Sequence, residues 1–114
     1  MSPARPAPPV KAQAAAPLFA ALGDATRLEV LLRLSQKGPG SITQLSAESA
    51  VSRQAITKHL KVLSDAGFVK GSRSGREHIW RLRAKRLEET RDYLEHISRE
   101  WDDALNRLKA FVED

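Results

Sequence analysis

Apolar residues recur at helical spacing along the first third of the chain, and they predict two helices there. The first helix has a short apolar face made of Leu18, Phe19 and Leu22. Gly23 is expected to end it. Asp24 is placed to cap a second helix, which the sequence Gly38-Pro39-Gly40 ends. The buried stripe of this second helix is expected to consist of Leu28, Leu31, Leu32 and Leu34.

Two further helices are predicted next, separated by a short turn. Ser41 and Gln44 have the spacing of a capping box and predict a short third helix that ends near Ser49. Ser52 then caps a fourth helix after a turn of two or three residues, and Gly67 ends it. The apolar side of the fourth helix carries Ile56, Leu60 and Leu63. Its polar side carries Arg53, Gln54, Thr57, Lys58 and Lys61.

A β-hairpin is expected after the fourth helix. Phe68 and Val69 begin its first strand, and residues 77–82 form the second. The polar segment 72–75 is expected to be the turn between the strands. The hairpin therefore carries arginines at its tip.

A last helix is predicted from about Ala84 to Val112, and its apolar residues follow a heptad pattern. The residues that repeat every seven positions are Leu87, Leu94, Trp101 and Leu108, and, in a second set, Thr90, Ile97, Ala104 and Phe111. This pattern is typical of a helix that packs lengthwise on another helix, so we expect a helix–helix dimer. The alternative is that part of the stripe packs on the first helices of the same chain.

The composition fits one small domain behind a disordered segment. Residues 1–17 hold five of the six prolines, so residues 1–13 are expected to be a disordered lead-in and residues 14–114 one folded domain. The chain has no cysteine, which excludes disulfides, thiolate metal sites and thiol catalysis. No apolar run approaches the roughly 18 residues of a membrane span, and no signal-peptide pattern is visible. We therefore expect a cytoplasmic protein without membrane contact.

The positive charge of the chain is concentrated in its middle. Residues 51–86 carry ten basic and two acidic side chains (+8), whereas residues 87–114 carry four basic and nine acidic ones (−5). This distribution indicates a polyanion-binding surface that is separate from a second working surface. On charge alone, a solvated charged face is the alternative.

The third and fourth helices, joined by a tight turn, have the pattern of a helix-turn-helix, and the hairpin after them makes it a winged helix. A helix fits the DNA major groove, where its first turns meet the base edges, so Gln54 is expected to pair with adenine and Arg53 or Lys58 with guanine. Ser52, at the N-terminus of the same helix, is expected to contact a phosphate. The expected fold class is mainly α, an α+β winged helix with a two-stranded wing.

The chain resembles the ArsR/SmtB family of bacterial repressors over about residues 15–112. The most specific matches are the sequence Gly23-Asp24-Ala25-Thr26-Arg27 and the segment 52–67, with its Thr57, His59, Leu60 and Leu63. The resemblance implies a homodimeric winged-helix protein that binds double-stranded operator DNA and releases it on an effector signal. Neither the operator nor the effector can be read from the sequence.

Two sets of site residues are expected on this basis. The DNA-binding set, from the fourth helix and the hairpin, is Ser52, Arg53, Gln54, Thr57, Lys58, His59, Lys61, Arg73, Ser74 and Arg76. The dimer interface that the resemblance implies, on the first and last helices, is Leu18, Phe19, Leu22, Leu94, Ile97, Trp101, Leu105 and Leu108.

Metal-sensing members of the family carry cysteines at the start of the third helix, or ligands between the paired last helices. This chain has no cysteine, and its nearest ligands are Asp92 and His96, one turn apart, with Glu100 one turn further. Two weak ligands do not make a site, so no metal and no cofactor are expected. A metal-responsive repressor that uses Asp92 and His96 stays open as an alternative.

The remaining residues do not indicate an enzyme. His59 is expected to support its helix or contact a phosphate, and His78 to be half-exposed on the hairpin. Three separate histidines, no cysteine and no glycine-rich phosphate loop leave no nucleophilic or nucleotide-binding site. The competing function is a dimeric protein-interaction module whose acidic last helix binds a partner.

Overall fold

A computed structural model describes residues 11–113, in which five helices and a small antiparallel sheet form a winged helix. The helices are α1 (Ala12–Leu22), α2 (Ala25–Lys37), α3 (Ile42–Ala47), α4 (Arg53–Asp65) and α5 (Ala84–Glu113). The strands are β1 (Gly40–Ser41), β2 (Val69–Ser74) and β3 (Glu77–Leu82). The predicted fold class is confirmed.

The first helix begins earlier than the sequence pattern predicts. The N–H groups of Ala14 and Ala15 both donate to the carbonyl oxygen of Lys11, at 2.9 and 2.8 Å, and close the first turn. Alanine is the strongest helix former, so the run of alanines extends α1 back to Ala12 rather than starting it at residue 14. The rest of the predicted disordered lead-in, residues 1–10, lies outside the described residues.

All three predicted N-caps are confirmed. A side-chain oxygen of Asp24 accepts from the Arg27 N–H at 3.0 Å and caps α2. Ser41 and Gln44 form the reciprocal capping box of α3. The Ser52 hydroxyl oxygen accepts from the Ala55 N–H at 3.2 Å and caps α4. These local bonds satisfy helix N–H groups that have no partner within the helix.

The turn between α3 and α4 is longer than predicted, because α3 ends at Ala47 and not near Ser49. The carboxylate of Glu48, the first residue after α3, accepts from Arg33 Nε at 2.7 Å. The Ser49 hydroxyl oxygen accepts from the Val51 N–H at 3.3 Å, a local bond that competes with helical pairing. Residues 48–52 therefore form the connection.

The core lies where α1, α2, α3 and α4 meet the sheet. The side chains of α4 that were predicted to be buried have no measurable exposure, and Leu45, Phe68, Val69 and Trp80 pack with them. In α2, however, the buried residues are Val30, Leu31 and Leu34, while Leu28 and Leu32 are 50% and 57% exposed. The predicted stripe was wrong at these two leucines because α2 packs on α1, α4 and β3 through its other side.

The sheet has three strands in the order β1-β3-β2, so it contains one strand more than the predicted hairpin. In β1, Gly40 and Ser41 pair with Trp80 and Ile79 of β3. The residues predicted as the turn, 72–75, mostly extend β2, since Ser74 still pairs with Glu77. The turn is Gly75-Arg76, and Gly75 takes a φ of +64°, which suits a tight two-residue hairpin turn.

The last helix continues well beyond the core. Leu87 packs against the core, Thr90 is buried, and the Tyr93 ring lies 5.8 Å from the ring of Phe19 in α1. Beyond this point α5 extends away from the other elements, and the molecule measures 64 × 30 × 25 Å. None of the described helices is long and apolar enough to cross a membrane.

Candidate nucleic-acid interface

The outer face of α4 is set by which of its residues enter the core. Successive residues of a helix are about 100° apart, so burial of Ile56, Leu60 and Leu63 fixes the opposite direction as the solvent side. Gln54, Lys58 and Lys61 fall near the middle of that solvent side, and all three are exposed. We call these three residues, with Thr57 beside them, the reading face of the helix.

Arg53 and His59 lie on opposite borders of the reading face and contact different neighbours. Arg53 Nη1 donates to the Thr43 hydroxyl of α3 at 3.4 Å. The other border is turned toward α2, where His59 Nδ1 lies 3.2 Å from Arg27 Nη1 and 3.8 Å from Asp24 Oδ1. The His59 side chain is only 21% exposed. His59 therefore lies on the border that faces α2 and outside the reading face.

The Asp24 carboxylate beside His59 is stabilised as an anion. The Arg27 backbone N–H is the main group that lowers the pKa of Asp24 below its ordinary value, and the charge of Arg27 and that of a protonated His59 act in the same direction. A carboxylate that accepts from a helix N-terminal N–H is a favourable arrangement for the charged form. Asp24 is therefore ionised throughout the pH range in which histidine titrates.

The hydroxyl groups of Ser52 and Thr57, near the start of α4, leave different atoms available to a ligand. Ser52 uses its oxygen as a cap, which leaves its hydroxyl proton available to donate. Thr57 donates its hydroxyl proton to the Arg53 carbonyl oxygen at 2.9 Å. What Thr57 offers to a ligand is therefore its methyl group and a remaining lone pair.

The wing, defined as β2, its turn and β3, meets the start of α4 across a groove. The residues that line this groove are Ser41, Ile42, Thr43, Arg53, Arg76, Glu77 and His78. It brings Arg53 of the helix and Arg76 of the hairpin turn to one surface. Arg73 and Ser74 are exposed on the neighbouring part of β2, and the exposed His78 ring lies 4.7 Å from the ring of Trp80.

Most cations on this surface are not neutralised by the protein. Lys61 has an ion-pair partner, because its Nζ lies 3.4 Å from Asp65 on the next turn. Within residues 11–113, Lys58, Arg73 and Arg76 have no carboxylate within ion-pair distance. The surface formed by α4 and the wing therefore presents positive charge that is available to an anionic partner.

Five of the residues that line the groove were not in the predicted DNA-binding set, and Thr43 and Glu77 are two of them. Thr43 follows the cap of α3, and Glu77 pairs with the last residue of β2. From the sequence, Thr43 was assigned only to the third helix and Glu77 only to a strand. Local spacing does not reveal that α3 and the hairpin turn share a groove. The capping box at Ser41 was the available signal, because it fixes where α3 begins.

The predicted dimer residues fall into an inner and an outer group. Leu18 is buried in the core of its own chain, whereas Phe19, Leu22 and Ile97 are half-buried. The exposed members all lie on α5, and they are Leu94, Trp101, Leu105 and Leu108. Trp101 is 68% exposed and Leu108 60%, which is unusual for side chains of this size.

The residues of the alternative metal site do not come together with further ligands. Asp92 Oδ1 lies 3.6 Å from a guanidinium nitrogen of Arg91. The Nδ1 atom of His96 is buried without a hydrogen-bond partner, and its ring lies 6.4 Å from that of Tyr93. Among residues 11–113 there is no group of three or more His, Cys, Asp or Glu side chains that could hold a metal ion.

Known proteins with similar sequences are helix-turn-helix transcriptional regulators. A family model described as a helix-turn-helix domain matches residues 22–71, which span α2, α3 and α4. The chain is 33% identical over 100 residues to the HTH-type transcriptional regulator NmtR of Mycobacterium tuberculosis, an overlap that covers 82% of each protein. It is 37% identical over 82 residues to the HTH-type transcriptional repressor SmtB of the same species, covering 70% of this chain and 60% of that repressor.

Solved structures similar to this chain are also transcriptional regulators. An ArsR-like transcriptional regulator from Rhodococcus sp. RHA1 is 39% identical and superposes with a TM-score of 0.71. The match covers 87% of this chain and 92% of the Rhodococcus protein. An ArsR family transcriptional regulator, RHA00566, is 25% identical, also with a TM-score of 0.71.

Proposed function

The chain belongs to the ArsR/SmtB family of helix-turn-helix transcriptional regulators, and from this premise we propose that it is a cytoplasmic homodimeric repressor of an inverted-repeat operator. The family consists of DNA-binding regulators and not of enzymes, so DNA is the partner of the α4 and wing surface. The dimer, the operator symmetry and the direction of regulation belong to the proposal.

The observation that carries the proposal is the groove in which Arg53 of α4 and Arg76 of the wing share one surface. A helix that enters the major groove leaves its neighbouring elements against the sugar–phosphate backbone. Gln54 and Lys58 on the reading face then reach base edges, while the wing follows the backbone or the adjacent minor groove. Ser52 and Lys61 contact phosphates on either side of these bases.

Dimerisation follows from the exposed apolar stripe of α5. Leu94, Trp101 and Leu108 recur every seven residues along a helix of 30 residues, and Leu105 lies beside them on the exposed stripe. Two such helices cover each other when they pair. A two-fold axis between them places two copies of α4 on successive major grooves, about 34 Å apart. The operator is therefore an imperfect inverted repeat. Repression agrees with the similarity to SmtB, which is itself a transcriptional repressor.

Fluorescence anisotropy tests this proposal with two labelled duplexes, one carrying the DNA upstream of the gene for this chain and one with that sequence scrambled. We expect tighter binding to the upstream duplex, with log K falling by about 0.9 per phosphate contact for each log unit of salt. Equal, salt-sensitive binding to both duplexes would mean that the chain binds DNA but that its operator lies in another sequence. Failure to bind either duplex at low salt would overturn the proposal and favour a protein partner for α5.

A further inference from the structure

We propose that His59 is a positioning residue that locks the recognition helix α4 to the end of α1 through Arg27. The inference rests on the proposed function, since its readout is operator binding. Of the two roles expected for His59, support of its helix and contact with a phosphate, the proposal takes the first. The lock consists of Asp24, Arg27 and His59, and we call these three residues the α1–α4 lock.

Arg27 is the centre of the lock because its guanidinium contacts two other helices. Its Nε donates to the Ala21 carbonyl oxygen at 2.5 Å, and Nη2 donates to that of Ala20 at 3.4 Å, both in the last turn of α1. Its Nη1 is directed to His59 Nδ1 on α4, at 3.2 Å. One side chain thus ties the C-terminal end of α1 to the middle of α4.

The contact between Arg27 and His59 requires one protonation state of the ring. Arginine stays protonated in proteins and can only donate, so His59 Nδ1 must offer its lone pair. The ring is then neutral and carries its proton on Nε2. A protonated imidazole has no lone pair at either nitrogen, so the hydrogen bond from Arg27 is lost in acid.

The charged groups around the ring determine how the lock responds to protonation of His59. On α2, Arg27 repels the imidazolium and Asp24, 3.8 Å away, attracts it. Helix α1 has no ionisable side chain between Ala12 and Leu22. On α4, Lys58 is the adjacent residue, and it is exposed. The protonated ring therefore turns from Arg27 toward Asp24, and Arg27 no longer joins α1 to α4.

Loss of the lock matters for base reading more than for folding. A binding site holds its contacts only when the supporting residues keep them within roughly 0.5 Å of the productive geometry. Gln54 and Lys58 are presented by the same helix that His59 fixes. Discrimination between operator and scrambled DNA should therefore weaken when the lock opens, while phosphate contacts persist.

The sign of the pH effect separates this role from a direct phosphate contact. A histidine that touched DNA would bind phosphate more strongly when protonated, and so would His78 in the groove. Protonation of any other side chain near the DNA adds positive charge, which strengthens binding to every DNA sequence alike. We therefore use the ratio of scrambled to operator dissociation constants, measured at about pH 7.5 and about pH 5.5.

The experiment compares the full chain with His59→Gln and His59→Leu, with His96→Gln as the matched control. In the unaltered protein and in the control, acid should lower the specificity ratio about fivefold or more. His59→Gln retains a neutral acceptor for Arg27, so its ratio should stay near that of the unaltered protein at pH 7.5 and change little in acid. His59→Leu should have the low ratio at both pH values. Circular dichroism confirms that each variant is folded.

Three outcomes contradict the lock. The first is an unaltered protein whose specificity ratio does not change in acid, and the second is a His59→Gln variant that keeps the full acid response. The third is a specificity ratio for His59→Leu equal to that of the unaltered protein at pH 7.5 while its melting temperature falls, since His59 would then have a stabilising role only. If the unaltered protein binds no DNA at any pH, the proposed function fails instead, and the two failures are distinct.

Discussion

The polar residues of α4 have different roles because they lie on different sides of the helix. Arg53 and His59 border the core on opposite sides, one held by Thr43 and the other by Arg27. Gln54 lies about 100° from Arg53 and contacts solvent. The side chains best placed to read bases are therefore Gln54 and Lys58, which lie far from both borders and in the first turns of the helix.

Gln54→Ala should reduce specificity at one position of the operator. A bidentate amide contact to adenine contributes roughly 1–3 kcal/mol of discrimination against other bases. We expect this loss for operators that retain the contacted base pair and no loss for operators in which it is already changed. Anisotropy titrations against a panel of single-base-pair operator variants measure it.

Lys61→Ala is the matched comparison for Gln54→Ala, because Lys61 lies on the same face and is assigned to phosphate. This variant should weaken binding to every duplex alike and reduce the salt slope by about 1. Equal losses on operator and scrambled DNA for Gln54→Ala would contradict its role as a base contact.

For single residues, the sequence predicts burial well only where one side of a helix is clearly apolar. Ile56, Leu60 and Leu63 were correctly assigned because polar residues surround them on α4. In α2 the apolar residues extend around more than half of the helix, so Leu28 and Leu32 were wrongly placed in the core. His59 could not be assigned to Arg27 because the two residues are far apart in the chain.

Among the elements, the wing depends on a close approach between its two strands. Gly71 of β2 pairs with Trp80 of β3, and the space beside its Cα is filled by the His78 and Trp80 rings. A Cβ atom at this position would lie 3.0 Å from two atoms of the Trp80 ring and still closer to His78 Nε2. His78 is exposed and can move, whereas Trp80 is buried.

Gly71→Ala should therefore destabilise the wing. Overpacking of a buried site costs about 1–3 kcal/mol of the free energy of unfolding. Urea denaturation followed by circular dichroism measures this loss, at one protein concentration because dimerisation affects apparent stability. Ser72→Ala, the neighbouring position on β2, is the control and should change stability little. A Gly71→Ala variant as stable as the control would refute the packing argument.

Elements defined by local signals were predicted and those defined by distant contacts were not. The caps at Asp24, Ser41 and Ser52 involve residues only three positions apart, and each was found where expected. Strand β1 has only two residues and exists through its pairing with β3. The same pairing shows why the wing is anchored to the start of α3, which the sequence pattern alone did not reveal.

In the whole molecule, the first and the later turns of α5 have different surroundings. Its first turns pack on the core and on Phe19, and its later turns carry large apolar side chains that no other described element covers. The heptad pattern indicated from the sequence that α5 packs on a helix, but it does not specify whether that helix belongs to the same chain. The exposure of Trp101 and Leu108 favours a second copy.

Leu105→Glu should convert the proposed dimer into monomers. Leu105 lies in the middle of the exposed stripe, and two copies of a buried glutamate would face each other across the two-fold axis. Light scattering should give twice the 12.6 kDa chain mass for the unaltered protein and the single-chain mass for the variant.

Ala110→Glu provides the control, since residue 110 lies about 140° around the helix from Leu105 and adds the same charge on another face. It should remain dimeric. Because operator affinity requires two half-sites to be bound together, Leu105→Glu should also lose most of its preference for the operator, whereas Ala110→Glu should keep it. A Leu105→Glu variant that stays dimeric, or an unaltered protein with single-chain mass, contradicts pairing through α5 and leaves its stripe for a different protein.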